Sequence, residues 1–374
     1  MKVRVQVNVL KDAVNRMVSV VDKKTTRPVL TYTLIKASSD NTLTLFGTDL
    51  EVSAKIKIPA DIQSEGAFCI NPKSLSDILR EMPNEQLDLE IVENQNILKL
   101  SMGQIKFSLL ISSTEDFPTL SFENIGNKFV LKSEQIQKII SKTSHAISND
   151  ETRLFLNGIF LQKVKSKLNS VATDGHRLAL FETNEFDTDS GVLEEGIILP
   201  KKGVVELKKL AENFANEELQ FSVDESFFYV NAQDKYCLGI RLIARDFPRY
   251  QTNIPSKTAY ALDVDKELFI TAIKRIKVLA NEKTNGVRLS LTKDSLRISS
   301  NHPSLGDATE TIAVKYSGKE MDIGFNAKYL LDSFSVIDVD SIRLEFNNEL
   351  SPVILKTPAL PEYFGVIMPL RLQY

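Results

Sequence analysis

One succession of elements recurs along this chain at a spacing of about 120 to 130 residues: a short alternating strand that runs directly into an amphipathic helix. VRVQV leads into VLKDAVNRMVSVV, KFVLK into SEQIQKIISKTSHAI, and AYALDV into DKELFITAIKRIKVL. Each helix carries apolar residues at helical spacing: Leu10, Val14, Met17, Val18 and Val21; Ile136, Ile139, Ile140 and Thr143; Phe269, Ala272, Ile273 and Ile276. A repeat of that size exceeds a solenoid unit and matches a small domain, so the chain of 374 residues reads as three domains rather than one core.

Within each third the pattern runs a second time. FCINPKSLSDILREM, IILPKKGVVELKKLA and IGFNAKYLLDSF occupy equivalent places, with asparagine in capping position in two and proline near the first turn in two. Alternating segments such as TLTLFGTDLEVSAKIKI and LNSVATDGHRLALFE follow, joined by the turns SSDN and TDG. Close hairpins of this kind predict antiparallel pairing, against a rival reading of parallel strands connected by helices. The fold class is therefore α+β: three pseudo-equivalent domains, 1–125, 126–254 and 255–374, each built from two helix-plus-antiparallel-sheet units. FENIGN and TNIPSK are the connecting stretches, and neither is long enough to tether the domains loosely.

Charge is divided by element. The net charge is −3, yet the six helical windows together carry +7, which leaves −10 for the rest. Basic residues on the helices include Lys11, Arg16, Lys73, Arg80, Lys138, Lys142, Lys201, Lys202, Lys208, Lys209, Lys274, Arg275, Lys277 and Lys328. A solvated face explains any one helix; six leaning the same way suit weak, sliding, sequence-independent contact with a polyanion. Cys69 and Cys237 sit in apolar contexts 168 positions apart, which predicts buried free thiols in a reducing compartment. MKVRVQVNVL lacks a signal-peptide core and no apolar run suffices to span a bilayer, so a cytoplasmic location without membrane contact is expected.

The search for chemistry finds no nucleophile elbow, no phosphate-binding loop and no metal-ligand spacing, so no catalytic residue, metal or cofactor is assigned. Asp174 and His176 in VATDGHRLAL stand two apart, which on one strand puts both on one face and leaves a hydrolase open. The Asp-Gly pair instead favours a hairpin with Asp174 and Gly175 at the bend and His176 and Arg177 opening the next strand. Asp187 and Asp189, in a polar loop, read as solvated.

VATDGHRLAL, the LNG of FLNGIF, LPKKGVVEL, NEKTNGVRL, KYSGKEMDIGFNAKYL and the closing VIMPLRL together resemble the bacterial β sliding clamps, the processivity subunits of replicative DNA polymerases, over the whole chain. The resemblance implies the DNA-clamp fold, a head-to-tail homodimeric ring, and basic helices around encircled duplex DNA. It implies a peptide-docking groove at Leu156, Thr173, Gly175, His176, Arg177, Leu178, Pro248, Val366, Ile367, Met368, Pro369, Leu370, Arg371 and Leu372. Partners of that groove are the catalytic subunit of the replicative polymerase, the clamp loader, repair polymerases, mismatch-repair proteins and ligase, each through a short peptide motif. For DNA binding the same resemblance selects Arg27, Arg80, Lys201 and Lys202, and for the dimer interface Ile78 and Phe107 against Val278 and Leu279. Core packing is the alternative for these four, and for Met368 and Leu370. The chain departs from the family pattern at Thr252 and Asn253, where an arginine and an aliphatic residue are usual, at Pro352, and in Gln373 and Tyr374 after the Arg-Leu pair. A protein-binding hub that does not engage DNA is the remaining reading.

Overall fold

Alternation and helical periodicity are realised where the repeat places them. A computed structural model describes residues 1–22, 25–92, 95–122, 128–186, 188 and 190–371, the side chain of Asn253 aside. The helices are α1 (Val7–Val20), α2 (Pro72–Glu81), α3 (Ser133–Thr143), α4 (Gly191–Glu195), α5 (Lys201–Asn213), α6 (Lys266–Lys277) and α7 (Ala327–Ser335). Six of them are the predicted helices; α4 is a single extra turn that no periodicity announces. In the opening strand Lys2–Gln6, Val3 and Val5 are buried and their neighbours exposed; the chain then enters α1, which buries Leu10, Ala13, Val14 and Met17. Asn71 and Asn326 cap α2 and α7 as expected, accepting backbone N–H bonds from Ser74 and from Lys328 and Tyr329. Asp265 caps α6 in the same way, through Leu268.

The described strands pair antiparallel throughout. The chain packs as two compact units. The first comprises Met1–Gln137, Thr188–Val192 and Lys202–Leu242. It holds a five-stranded sheet, which ends on the edge strand Ile105–Leu110, and an eight-stranded sheet. In the larger sheet Tyr236–Arg241, from the central third, pairs with Val52–Pro59 of the first third from Tyr236↔Ile56 to Ile240↔Val52. Helix α5 lies close over this sheet: a Cβ on Gly203 would stand 2.3 Å from Ile240 Cγ2, so only glycine permits the approach.

The second unit comprises Lys138–Asp187, Leu193–Lys201 and Ile243–Tyr374. Its eight-stranded sheet joins the central third to the last third where Arg177–Thr183 pairs with Tyr363–Ile367, from Arg177↔Ile367 to Phe181↔Tyr363. Its four-stranded sheet ends on the edge strand Gly306–Ala313. The central third thus supplies strands to both units, a division that the repeat in the sequence does not announce, because a repeat marks element order and not which sheet edge each strand joins.

Two expectations are corrected. His176 lies in the turn, and the strand opens at Arg177. Lys142 does not face solvent: it is buried, with its ammonium on the Val336 carbonyl and 2.9 Å from Asp338 Oδ2. The long aliphatic stem of lysine lets it occupy a helix position that periodicity assigns to the surface. The connection FENIGN falls almost wholly, and Asp187 and Asp189 entirely, outside the described residues. Cys69 and Cys237 are buried and not joined in a disulfide, and burial pushes the Cys69 thiol up to about 11. Among the described residues no helix is long and apolar enough to cross a membrane.

Candidate functional site

The hairpin between Lys167–Thr173 and Arg177–Thr183 is tightened by its own polar groups. Asp174 Oδ1 accepts from the backbone N–H groups of His176 (2.9 Å) and Arg177 (3.0 Å), and Gly175 N–H donates to Thr173 Oγ1 at 3.1 Å. Thr173 Oγ1 in turn donates to the Arg177 carbonyl at 2.6 Å. Gly175 takes φ +88°, a conformation that favours glycine, and a Cβ there would also displace the tip of the Arg153 side chain.

This turn aims Arg177 inward. Only 7% exposed, its guanidinium donates through Nε to Asp174 Oδ2 at 3.1 Å and through Nη1 to Asp332 Oδ2 at 2.7 Å. It also lies 4.6 Å from the centre of the Tyr329 ring, against which the His176 ring stacks at 6.0 Å and 16°. Burial, then Asp174, raises the Tyr329 hydroxyl above its ordinary range. With two carboxylates and an aromatic face the buried cation is fully engaged.

Beside this cluster opens a groove of about 530 Å³, lined by Thr173, Gly175, Arg177, Leu178, Tyr250, Thr252, Ile254, Pro255, Pro352, Val366 and Met368. Beneath it Phe160, Val171, Leu178, Leu180, Ile198, Tyr250 and Val366 form one core cluster, with Phe247 stacked on Phe160 at 4.7 Å. The closing segment is pinned along its length: Met368 N–H donates to the His176 carbonyl and Leu370 N–H to the Gly324 carbonyl, both at 2.8 Å. The arrangement is an apolar slot with a few fixed polar atoms, suited to holding an apolar side chain and orienting the backbone that carries it.

Of the groove residues selected from sequence, Thr173, Gly175, Arg177, Leu178, Val366 and Met368 converge on the slot. Leu156 is buried, and Ile367 is buried on the opposite face of its strand, beside Arg177 in register. His176 and Pro248 are exposed, Pro369 and Leu370 half-buried and Arg371 exposed; none of them lines the cavity. Leu372, Gln373 and Tyr374 lie outside the described residues. Strand alternation carries the signal that divides Val366 from Ile367, since successive side chains take opposite faces. Tyr250, Ile254 and Pro255 were not singled out in the sequence; they belong to the short helical turn Tyr250–Asn253 and the two residues after it, a stretch that lacks any period.

The Asp174 and His176 pair does not form an acid/base couple. Asp174 accepts the backbone N–H of His176 and the Arg177 side chain, while the imidazole lies on Tyr329. Among the described residues no group of three or more His, Cys, Asp or Glu side chains is arranged to hold a metal ion.

The helix cations are partly committed. Arg80 pairs with Asp77 on its own helix, and Lys202 with Asp49 and, at 2.9 Å, the Val20 carbonyl at the end of α1. Lys201 and Arg27 are exposed. Of the four candidate interface residues, Val278 is 76% exposed and Phe107 38%, with Ile78 and Leu279 half-buried, so none belongs to the core. Leu110, at the end of the same edge strand as Phe107, is 82% exposed.

Comparison with known proteins places this geometry. Residues 1–121, 130–249 and 251–371 match, in turn, the N-terminal, central and C-terminal domain families of the DNA polymerase III beta subunit. The chain is 31% identical over 377 residues to the beta sliding clamp of Caulobacter vibrioides strain NA1000, with 99% of this chain and 100% of the relative covered. The beta sliding clamp of Proteus mirabilis is 30% identical over 348 residues, covering 93% of each. Among solved structures, the DNA polymerase III subunit beta of Pseudomonas aeruginosa superposes with a TM-score of 0.92 at 28% identity and full coverage of both chains. A Caulobacter crescentus beta sliding clamp, crystallised with polyethylene glycol at the region suggested to tether β-motifs, superposes with a TM-score of 0.93 at 30% identity, covering 100% of this chain and 99% of that one.

Proposed function

The chain belongs to the DNA polymerase III beta subunit family, the bacterial β sliding clamps, and from that premise we propose how its parts serve a processivity clamp. The slot beside Arg177 docks short peptide motifs with leucine and phenylalanine anchors, carried by the replicative polymerase, the clamp loader, repair polymerases, mismatch-repair proteins and ligase. One observation carries this reading: an apolar slot of about 530 Å³ ends on a cation and a hydroxyl whose positions are fixed by the Asp174 turn. The Caulobacter crescentus relative, with polyethylene glycol at its β-motif region, supports the same assignment.

The chain divides into clamp domains 1–125, 126–254 and 255–374. Two copies close head to tail, the edge strand Ile105–Leu110 of one meeting the edge strand Gly306–Ala313 of the other, with Phe107 and Ile78 against Val278 and Leu279. Two open edges flanked by exposed apolar side chains favour such strand addition, and a head-to-tail contact used twice closes a ring. Encircled duplex DNA meets Arg27, Arg80, Lys201 and Lys202 through phosphates, as a non-catalytic sliding contact in the cytoplasm.

The deciding experiment loads the protein enzymatically onto nicked circular DNA and compares retention after the circle is linearised. Retention on the circle and loss from the linear form are expected; equal retention overturns the encircling mechanism. In parallel, a fluorescent peptide with leucine and phenylalanine anchors is titrated against the protein and its Met368→Glu variant. The variant is expected to bind about tenfold or more weakly, since a carboxylate replaces apolar surface of the slot and is desolvated when an apolar anchor enters; equal affinity removes the peptide from this slot.

A further inference from the structure

His145 is the middle residue of the short helical turn Ser144–Ala146 after α3, and the docking reading leaves it without a task. Both of its ring nitrogens are shut off from solvent, and neither has a hydrogen-bond partner among the described residues. A buried polar group kept without a partner calls for an explanation. The turn packs against the strands Lys167–Thr173 and Arg177–Thr183 and against α7, the three elements that carry the groove network. The charged groups that act on the ring are Arg177 from the strand, Asp332 from α7 and Asp174 from the hairpin turn. Two of these groups, Asp174 and Asp332, are the carboxylates that hold the Arg177 guanidinium.

We infer that His145 is a positioning residue for the docking groove: uncharged, it lets Arg177 keep its place between Asp174, Asp332 and Tyr329, and a proton on its ring dislodges that guanidinium. The physical reason is twofold. A second cation in this buried setting repels Arg177, and a protonated imidazole gains a donor that competes for the two carboxylates holding it. Loss of Arg177 from Asp174 slackens the turn, and with it Thr173, Gly175 and the Met368 anchor on the His176 carbonyl. Burial, and next Arg177, holds the His145 proton affinity down to about 4, so the ring is uncharged near neutrality and the groove is intact there.

This inference rests on the peptide-docking reading, and the test separates the two. Affinity for the fluorescent peptide is measured from about pH 7.5 to about pH 4.5 for the full chain and for its His145→Phe variant. His145→Gln serves as a second uncharged replacement should the phenylalanine not be accommodated. Amide-exchange protection of the His176 and Arg177 N–H groups is followed over the same range. Any acid effect that arises elsewhere in the molecule is common to all three proteins, so only the difference reports on His145. Near pH 7.5 the variants are expected to bind within about twofold of the parent. Toward acid the parent is expected to lose about tenfold more affinity than either variant, one decade for each unit of displaced proton affinity that is called upon. It is also expected to lose protection at the two turn amides that the variants retain. Parallel acid profiles in exchange, with or without parallel binding, overturn the role of His145. Absence of peptide binding by the parent at pH 7.5 overturns the docking reading, while the exchange comparison still decides His145.

Discussion

Asp174 holds the Thr173–Arg177 bend with one carboxylate, two backbone N–H groups and a guanidinium. Asp174→Ala should cost about 2–3 kcal/mol, because it frees two turn amides and leaves a buried cation with Asp332 as its one remaining carboxylate, and this is measurable by chemical denaturation. Gly175→Ala should cost about 1–2 kcal/mol, as an L-residue resists φ +88°. His145 makes a pH prediction of defined sign. Its proton affinity falls from the ordinary 6.5 to about 4 on folding, so below about pH 6.5 the unfolded chain takes up a proton that the folded chain refuses. The stability it contributes is complete above that pH and lost as pH falls toward about 4. A difference of on the order of 3 kcal/mol follows at full loss, and His145→Phe should flatten that limb of the stability curve. Gly175 and the Asp174 bend were legible as an Asp-Gly hairpin. The significance of His145 was not, because nothing local in SHAIS records that a strand from thirty residues on and a helix from the last third bring Arg177 and Asp332 to its ring.

At the scale of elements, the strand-then-helix units were readable because each is a local matter of period and cap. Asn326→Ala should lower stability by about 1 kcal/mol through the freed Lys328 and Tyr329 amides, seen as a lower Tm. Lys142 shows where the local signal fails. Its spacing on α3 matches a solvent-facing lysine, and only the approach of α7 turns it into a buried cap on Val336 with Asp338 beside it. Lys142→Ala should be destabilising by about 1–3 kcal/mol, since a helix-end carbonyl loses its donor while the exposed Asp338 regains water. Lys202 behaves similarly, with its ammonium committed to the Val20 carbonyl and Asp49. Lys202→Ala should therefore lower stability as well as any affinity for DNA, whereas Lys201→Ala, which removes only an exposed bond to Asn149 Oδ1, should act mainly on DNA, reducing the slope of affinity against salt by about one unit.

At the scale of the whole molecule, the proposed head-to-tail closure rests on the two open edges. Leu110→Glu and Val278→Glu should each shift the protein toward monomer, because either puts an unpaired charge on an exposed apolar edge flank; solution mass against concentration reads the change. The sequence by itself determined the antiparallel α+β character, the six helices, the caps and the bend at Gly175, since period, capping and turn chemistry act over a few residues. It also carried the motifs that identify the family. Only the tertiary structure decided that the central third lends strands to two sheets and that Tyr250, Ile254 and Pro255 complete the slot. It alone decided, too, which lysines remain free to meet a phosphate. These depend on which distant segments share a sheet edge or a helix face, and that is fixed by burial summed over the whole chain rather than by any stretch of it.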